Sequence, residues 1–123
     1  MITGIIVFAH GSRIESANEA VRSVARDLVR ASSCERVVAA FLELGQPDLE
    51  TAATRMTAAG VERLVIIPYF LTLGLHMERD LPSLVDRISK IHPGLRIDVT
   101  PPMDGHPALV TVLADRYRAL SKI

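Results

Sequence analysis

Four short apolar runs, each followed by a stretch of helical periodicity, constrain this chain more than any other feature of its sequence. Ile5-Ile6-Val7-Phe8-Ala9 is continuous and apolar, as a parallel strand buried on both faces requires. Over residues 15–31, Ala17, Ala20, Val21, Val24, Ala25, Leu28 and Val29 recur at helical spacing, with Arg22, Arg26, Asp27 and Arg30 largely opposite. The alternation continues with a strand over 36–42 and a helix over 47–59 stopped by Gly60, then a strand over 63–68 and a helix over 80–91 stopped by His92-Pro93-Gly94. A strand over 95–100 and a helix over 106–120 complete it. Parallel strands joined by right-handed crossovers predict an open α/β sheet with helices on both faces, a three-layer, flavodoxin-like sandwich. We expect a four-stranded parallel sheet in the order 2-1-3-4, because the chain must reverse direction across the sheet to cover both faces. At 123 residues the sequence fits a single domain, 1–123, with one core.

Composition narrows the function classes. No apolar run approaches the roughly 18 to 20 residues that cross a bilayer, which predicts a soluble protein with no membrane partner. Met1 to Ala9 lacks a basic leader and runs straight into His10-Gly11-Ser12, so it reads as a first strand rather than a secretion signal. Fourteen basic and fourteen acidic side chains balance without a Lys/Arg block, which argues against nucleic acid as a partner. The lone Cys34 has no internal disulfide partner and reads as a reduced thiol, consistent with a cytoplasmic location.

Histidines follow two of the strand-like runs at the carboxyl edge, where open α/β sheets bind their ligands. His10 follows the first, and His76 follows the third inside Pro68-Tyr69-Phe70-Leu71-Thr72-Leu73-Gly74-Leu75-His76-Met77-Glu78-Arg79-Asp80-Leu81-Pro82. Glu43 follows the second. Two imidazoles and a carboxylate suit Fe(II), Co(II), Ni(II) or Zn(II), whereas the absence of clustered cysteines argues against Cu(I) and iron–sulfur centres. Loop histidines bonded to nearby backbone and a solvated Glu43 account for the same residues. Gly11 and Ser12 offer backbone amides to an anion, or simply a tight turn with Ser12 or Ser16 capping the helix. Arg13 is placed to pair with a ligand carboxylate or to lie free on the surface. Tyr69, Phe70 and Leu71 form either an apolar shelf for a flat ligand or ordinary core. Gly74 reads as the turn that aims His76. Asp80 and Pro82 read as a helix start. His92 reads as a structural or exposed turn residue, and His106 before Pro107 as part of a helix start.

Taken together, His10-Gly11-Ser12, Phe41-Leu42-Glu43 followed by Pro47, the Pro68–Pro82 segment and Pro102 through Pro107 resemble the small sirohydrochlorin chelatases. These are the short CbiX-type members of the class II tetrapyrrole chelatases. The long pattern Pro-x-Phe-Leu-x-x-Gly-x-His-x-x-x-Asp-Leu-Pro is specific, whereas His-Gly-Ser alone is weak. The resemblance implies a chelatase lyase that inserts Co2+, Fe2+ or Ni2+ into sirohydrochlorin without a nucleotide, on the way to siroheme or cobalamin-type tetrapyrroles. It implies that His10, His76 and Glu43 are the metal and catalytic residues; on the residues' own chemistry, Ser12, Arg13, Phe70 and Leu71 are our candidates for contacting the macrocycle. Longer members carry two such domains with the tetrapyrrole between them, so the resemblance further implies a homodimer that completes the cleft. A non-catalytic metal or tetrapyrrole carrier using the same histidines is the alternative. A phosphoryl-transfer enzyme with His10 as nucleophile fits less well, because no additional arginine cluster accompanies Arg13.

Overall fold

The structure is a computed structural model and describes residues 1–121. The chain alternates strand and helix throughout: β1 (Thr3–Ala9), α1 (Glu15–Ser32), β2 (Val37–Phe41), α2 (Leu49–Ala58), β3 (Arg63–Pro68), α3 (Leu75–Ile91), β4 (Arg96–Val99) and α4 (Ala108–Ser121). All strand pairs are parallel and the order is β2-β1-β3-β4, as the crossover argument predicts. No helix among the described residues is long and apolar enough to cross a membrane.

The period-two alternation of a strand divides the core between the two faces of the sheet. Ile6 and Phe8 of β1, Ala40 of β2 and Leu64 and Ile66 of β3 point to one face. There they meet Leu49, Ala52, Ala53 and Met56 of α2 and Met77, Leu81 and Ile88 of α3. Val7, Ala9, Ala39 and Phe41 point to the other face, where Val21 and Ala25 of α1 cover them.

Two features differ from the sequence pattern in ways that matter. The pattern starts α3 at Asp80, but the helix begins at Leu75 and carries Pro82 in its interior. Met77, Leu81 and Ile88 all enter the α2/α3 core, so burial of an additional turn outweighs the backbone hydrogen bond that Pro82 forfeits. Consequently Asp80 does not cap the helix, and His76 sits in the first helical turn rather than on a loop. Gly74 is the N-cap, with φ −73° and ψ 168°, an extended conformation open to any residue. The second difference is α4. The sequence places a last helix over 106–120 among helices that cover the sheet, yet in α4 (Ala108–Ser121) Val110, Val112, Leu113, Tyr117 and Leu120 are all exposed.

Candidate functional site

The two strands on either side of the first crossover bring the first histidine and the acidic residue together. Beyond the last β1–β2 register pair, Leu42 N–H donates to Ala9 C=O (2.9 Å) and Glu43 N–H donates to His10 C=O (3.1 Å). These bonds extend the ladder into the loops and lay Glu43 beside His10. His10 Nε2 and Glu43 Oε1 are 4.0 Å apart, and both side chains are more than half exposed.

Two residues make that approach possible. Gly11 has φ +95°, and a Cβ built on it would lie 1.7 Å from Glu43 C=O, so only glycine fits beneath the carboxylate loop. Asn18, almost wholly buried, ties the loops together from below. Its Oδ1 accepts from Ser12 N–H (2.9 Å), and its Nδ2 donates to Ser12 C=O (2.8 Å) and Leu44 C=O (3.0 Å). The sequence reading missed Asn18, although it falls on the same stripe as Val21 and Ala25; a polar residue on an apolar stripe was the available signal. Neither Ser12 nor Ser16 caps α1 through its side chain, and the N-cap position is Ile14. Ser12 instead has its amide taken by Asn18, while its Oγ accepts from Ile14 N–H (3.1 Å).

The histidine rings differ in which nitrogen is free. A carbonyl can only accept, so His10 Nδ1, 3.4 Å from Gly11 C=O, is on the donor side of that contact, while Nε2 faces Glu43. A guanidinium can only donate, so Arg79 Nη2 at 3.3 Å makes His76 Nδ1 the acceptor and leaves the proton of the neutral ring on Nε2. Arg79 also pairs with Asp80 at 3.6 Å. Among the described residues, no group of three or more His, Cys, Asp or Glu side chains converges to hold a metal. His10 and Glu43 meet, and His76 stands apart on α3.

The remaining candidates separate by burial. Phe70 packs against the α2/α3 core and meets Phe8 edge-on at 6.2 Å, so it is core rather than shelf; Tyr69 packs against the α1-side core. Leu71 is exposed, as are three apolar residues not singled out by sequence: Ile14, Leu44 and Leu75. These four lie after β1, β2 and β3, at the carboxyl edge that carries His10 and Glu43. Leu44 holds φ +58°, which is uncommon outside glycine, asparagine and aspartate. Arg13 is exposed and without an ion-pair partner among the described residues. His92 is structural, with Nε2 3.0 Å from Thr54 Oγ1, and His106 Nδ1 accepts from Ala108 N–H at the start of α4. The half-buried Cys34 thiol donates to backbone carbonyls of Thr3 and Arg36.

An open parallel sheet with an imidazole–carboxylate pair at its carboxyl edge, and exposed aliphatic side chains in the segments that follow β1, β2 and β3, is the class of protein the structure defines. Comparison with known proteins gives that class its family: residues 4–120 match the CbiX family model, and the chain belongs to the CbiX family. It is 31% identical to the chloroplastic sirohydrochlorin ferrochelatase of Arabidopsis thaliana over 94% of this chain and 51% of that protein. It is 27% identical to the sirohydrochlorin cobaltochelatase of Sulfolobus acidocaldarius over 96% of this chain and 93% of that one. Among solved structures it resembles a cobalamin biosynthesis CbiX protein from Marinobacter aquaeolei VT8, with TM-score 0.86, 30% identity and 98% of each chain covered. It also resembles SirB from Bacillus subtilis with Fe3+, with TM-score 0.76 and 25% identity over 83% of this chain and 40% of that one. The chain spans 51% to 59% of the length of the first curated relatives it matches.

Proposed function

We propose that this protein inserts a divalent metal ion, Co2+, Fe2+ or Ni2+, into a sirohydrochlorin-type tetrapyrrole, with the ion as substrate and no nucleotide. The observation that carries the reading is the 4.0 Å separation of His10 Nε2 and Glu43 Oε1 at the ligand-binding edge. Metal bonds of about 2.1 Å to imidazole nitrogen and carboxylate oxygen put those two atoms about 3.4 Å apart at a tetrahedral angle and about 4.2 Å apart when opposed. The pair is therefore spaced to bracket an ion with little movement, leaving its other coordination positions open to pyrrole nitrogens.

Insertion releases two pyrrole N–H protons, which need acceptors near the ion. Glu43 serves first as ligand and then as acceptor once the macrocycle takes the ion. His76 is the third group, and its Nδ1 becomes available when Arg79 turns from it toward a carboxylate of the tetrapyrrole. Ile14, Leu44, Leu71 and Leu75 supply apolar contact to the macrocycle face, and the unpaired Arg13 supplies a cation for its carboxylates. Two copies of the chain enclose the macrocycle between their carboxyl edges. The reduced thiol of Cys34 fits a cytoplasmic setting.

The test is anaerobic incubation with sirohydrochlorin and each ion separately, followed by the absorbance of the macrocycle. Acceleration over the uncatalysed rate that is lost in His10→Ala and reduced in Glu43→Gln is expected. Wild-type rates in correctly folded His10→Ala and His76→Ala would refute the assignment of these residues.

A further inference from the structure

We infer that Arg22 is a positioning residue for Glu43, acting through both ends of the loop that carries it. The Glu43 side chain is more than half exposed, so its place beside His10 is set by the backbone beneath it. That backbone is tied down from outside the loop. Glu43 N–H donates to His10 C=O, Asn18 Nδ2 donates to Leu44 C=O, and Arg22 Nη2 donates to Gln46 C=O at 3.1 Å. The bond from Arg22 secures the side of the loop that leads into α2.

Arg22 reaches the other side as well. Its guanidinium carbon lies over the Phe41 ring, 5.2 Å from the centroid. Phe41 ends β2, is wholly buried and pairs in register with Ala9, the residue before His10. The loop folds back on the same ring: a Cβ built on Gly45 would lie 2.8 Å from Phe41 Cγ and 3.1 Å from Asn18 Nδ2, which leaves no room for a side chain. Phe41 is therefore met by Arg22 from α1 and by Gly45 from the loop, and Glu43 stands midway between Phe41 and Gly45 in the chain.

Charge keeps the guanidinium in this place. Arg22 Nη1 donates to Glu15 Oε1 and, at 3.5 Å, to Glu19 Oε2. The bond from Arg22, followed by that from Asn18, holds the Glu15 carboxyl below the usual carboxylate range. Glu15 thus joins the two side chains that grip the loop, since Asn18 Nδ2 is 3.4 Å from its other oxygen. A guanidinium suits all three demands at once, with Nη1 on carboxylates, Nη2 on a carbonyl and the planar group over a ring, whereas an ammonium offers a single point charge.

Arg26, one turn further along α1, shows what a surface arginine does on the same helix. It pairs with Glu19 at 2.6 Å, its side chain is 63% exposed against 27% for Arg22, and among the described residues it has no bond to the loop. The two arginines carry equal charge, so comparing them separates positioning from electrostatics. The inference rests on the reading that His10 and Glu43 hold the ion.

Titration calorimetry of the full chain with Co2+ tests it, with far-ultraviolet circular dichroism on each variant. Arg22→Gln should bind Co2+ about 3–10-fold more weakly than wild type, less than the loss of about 10–100-fold typical of a group bonded directly to a metal ligand. Arg22→Lys should fall between the two, and Arg26→Gln should stay within about twofold of wild type, as an exposed ion pair implies. A double-mutant cycle then identifies the group through which Arg22 acts. Glu43→Gln should weaken binding, and adding Arg22→Gln should weaken it no further, whereas a general loosening of the fold would lower both backgrounds alike. The same cycle with Arg22→Lys, which keeps the charge, decides the matter if Arg22→Gln fails to fold. Wild-type affinity in Glu43→Gln would overturn the metal-site reading and the role of Arg22 with it. If Glu43→Gln weakens binding, the positioning role alone is overturned by wild-type affinity in Arg22→Gln, by an equal loss in Arg26→Gln, or by the same loss from Arg22→Gln in both backgrounds.

Discussion

Replacing Gly11 by alanine is the sharpest single perturbation of the site, because two independent costs coincide there. An alanine at φ +95° bears the left-handed backbone penalty of about 1–2 kcal/mol. Its Cβ would also lie 1.7 Å from Glu43 C=O, whereas real Cβ contacts do not fall below 3.0 Å, so the loop after β2 has to retreat. That retreat stretches the Glu43 N–H to His10 C=O bond, worth about 1 kcal/mol. It also forces overpacking against backbone at about 1–3 kcal/mol. Together these give about 3–6 kcal/mol, a large part of the roughly 5–15 kcal/mol that holds a typical domain. Two other glycines calibrate the estimate. Gly105 has φ +80° and nothing within 4 Å of a built Cβ, so Gly105→Ala should show the backbone penalty alone. Gly74 has φ −73° and the same open space, so Gly74→Ala should be within about 1 kcal/mol of wild type even allowing for its N-cap position. Urea unfolding of the three variants measures the order. A Gly11→Ala variant that loses no more stability than Gly105→Ala would refute the claim that Glu43 is seated against Gly11.

Asn18→Ala removes the partners of Ser12 N–H, Ser12 C=O and Leu44 C=O and should cost about 2–4 kcal/mol in chemical unfolding. Metal affinity should fall with it, since the same bonds hold the two ligand loops. Asp48 caps α2 by accepting from Thr51 N–H at 2.8 Å, which holds its carboxyl below the ordinary value near 3.9. A carboxyl depressed in the folded state contributes stability that is complete above the unfolded value and is lost as pH falls through the folded one. Asp48→Ala should therefore cost about 1 kcal/mol at pH 7, and thermal melts should show that difference shrinking as pH drops below about 3.9. Titration calorimetry with Co2+ should show His10→Ala binding at least about 10–100-fold more weakly than wild type, the loss that even an outer-shell partner produces.

The β3 boundaries and the strand order were legible because an uninterrupted apolar run and a chain of crossovers leave few alternatives. The start of α3 was not. Gly74, Asp80 and Pro82 carry local helix-start signals, and the true start is set by where Met77 falls against the core, which is a tertiary fact. The exposure of α4 was illegible for a related reason: Val110, Leu113, Tyr117 and Leu120 spell the same apolar stripe whether it is buried or left open. At the site, His10 and Glu43 could be picked out by their positions after β1 and β2, but their pairing depends on the ladder extension at Leu42 and Glu43. Asn18 looked like one more polar residue on a helix. The ring nitrogens of His10 and His76 that meet Gly11 C=O and Arg79 find partners that only the folded chain supplies.

Turnover is what separates a chelatase from a carrier built on the same residues, and it can be counted directly. Protein at about one-hundredth of the sirohydrochlorin concentration, with Co2+ in excess, should convert many macrocycles per chain at a rate well above the protein-free control, and His10→Ala should not. Conversion that stops near one macrocycle per chain, or that proceeds equally well in His10→Ala, would contradict catalysis at the His10–Glu43 pair.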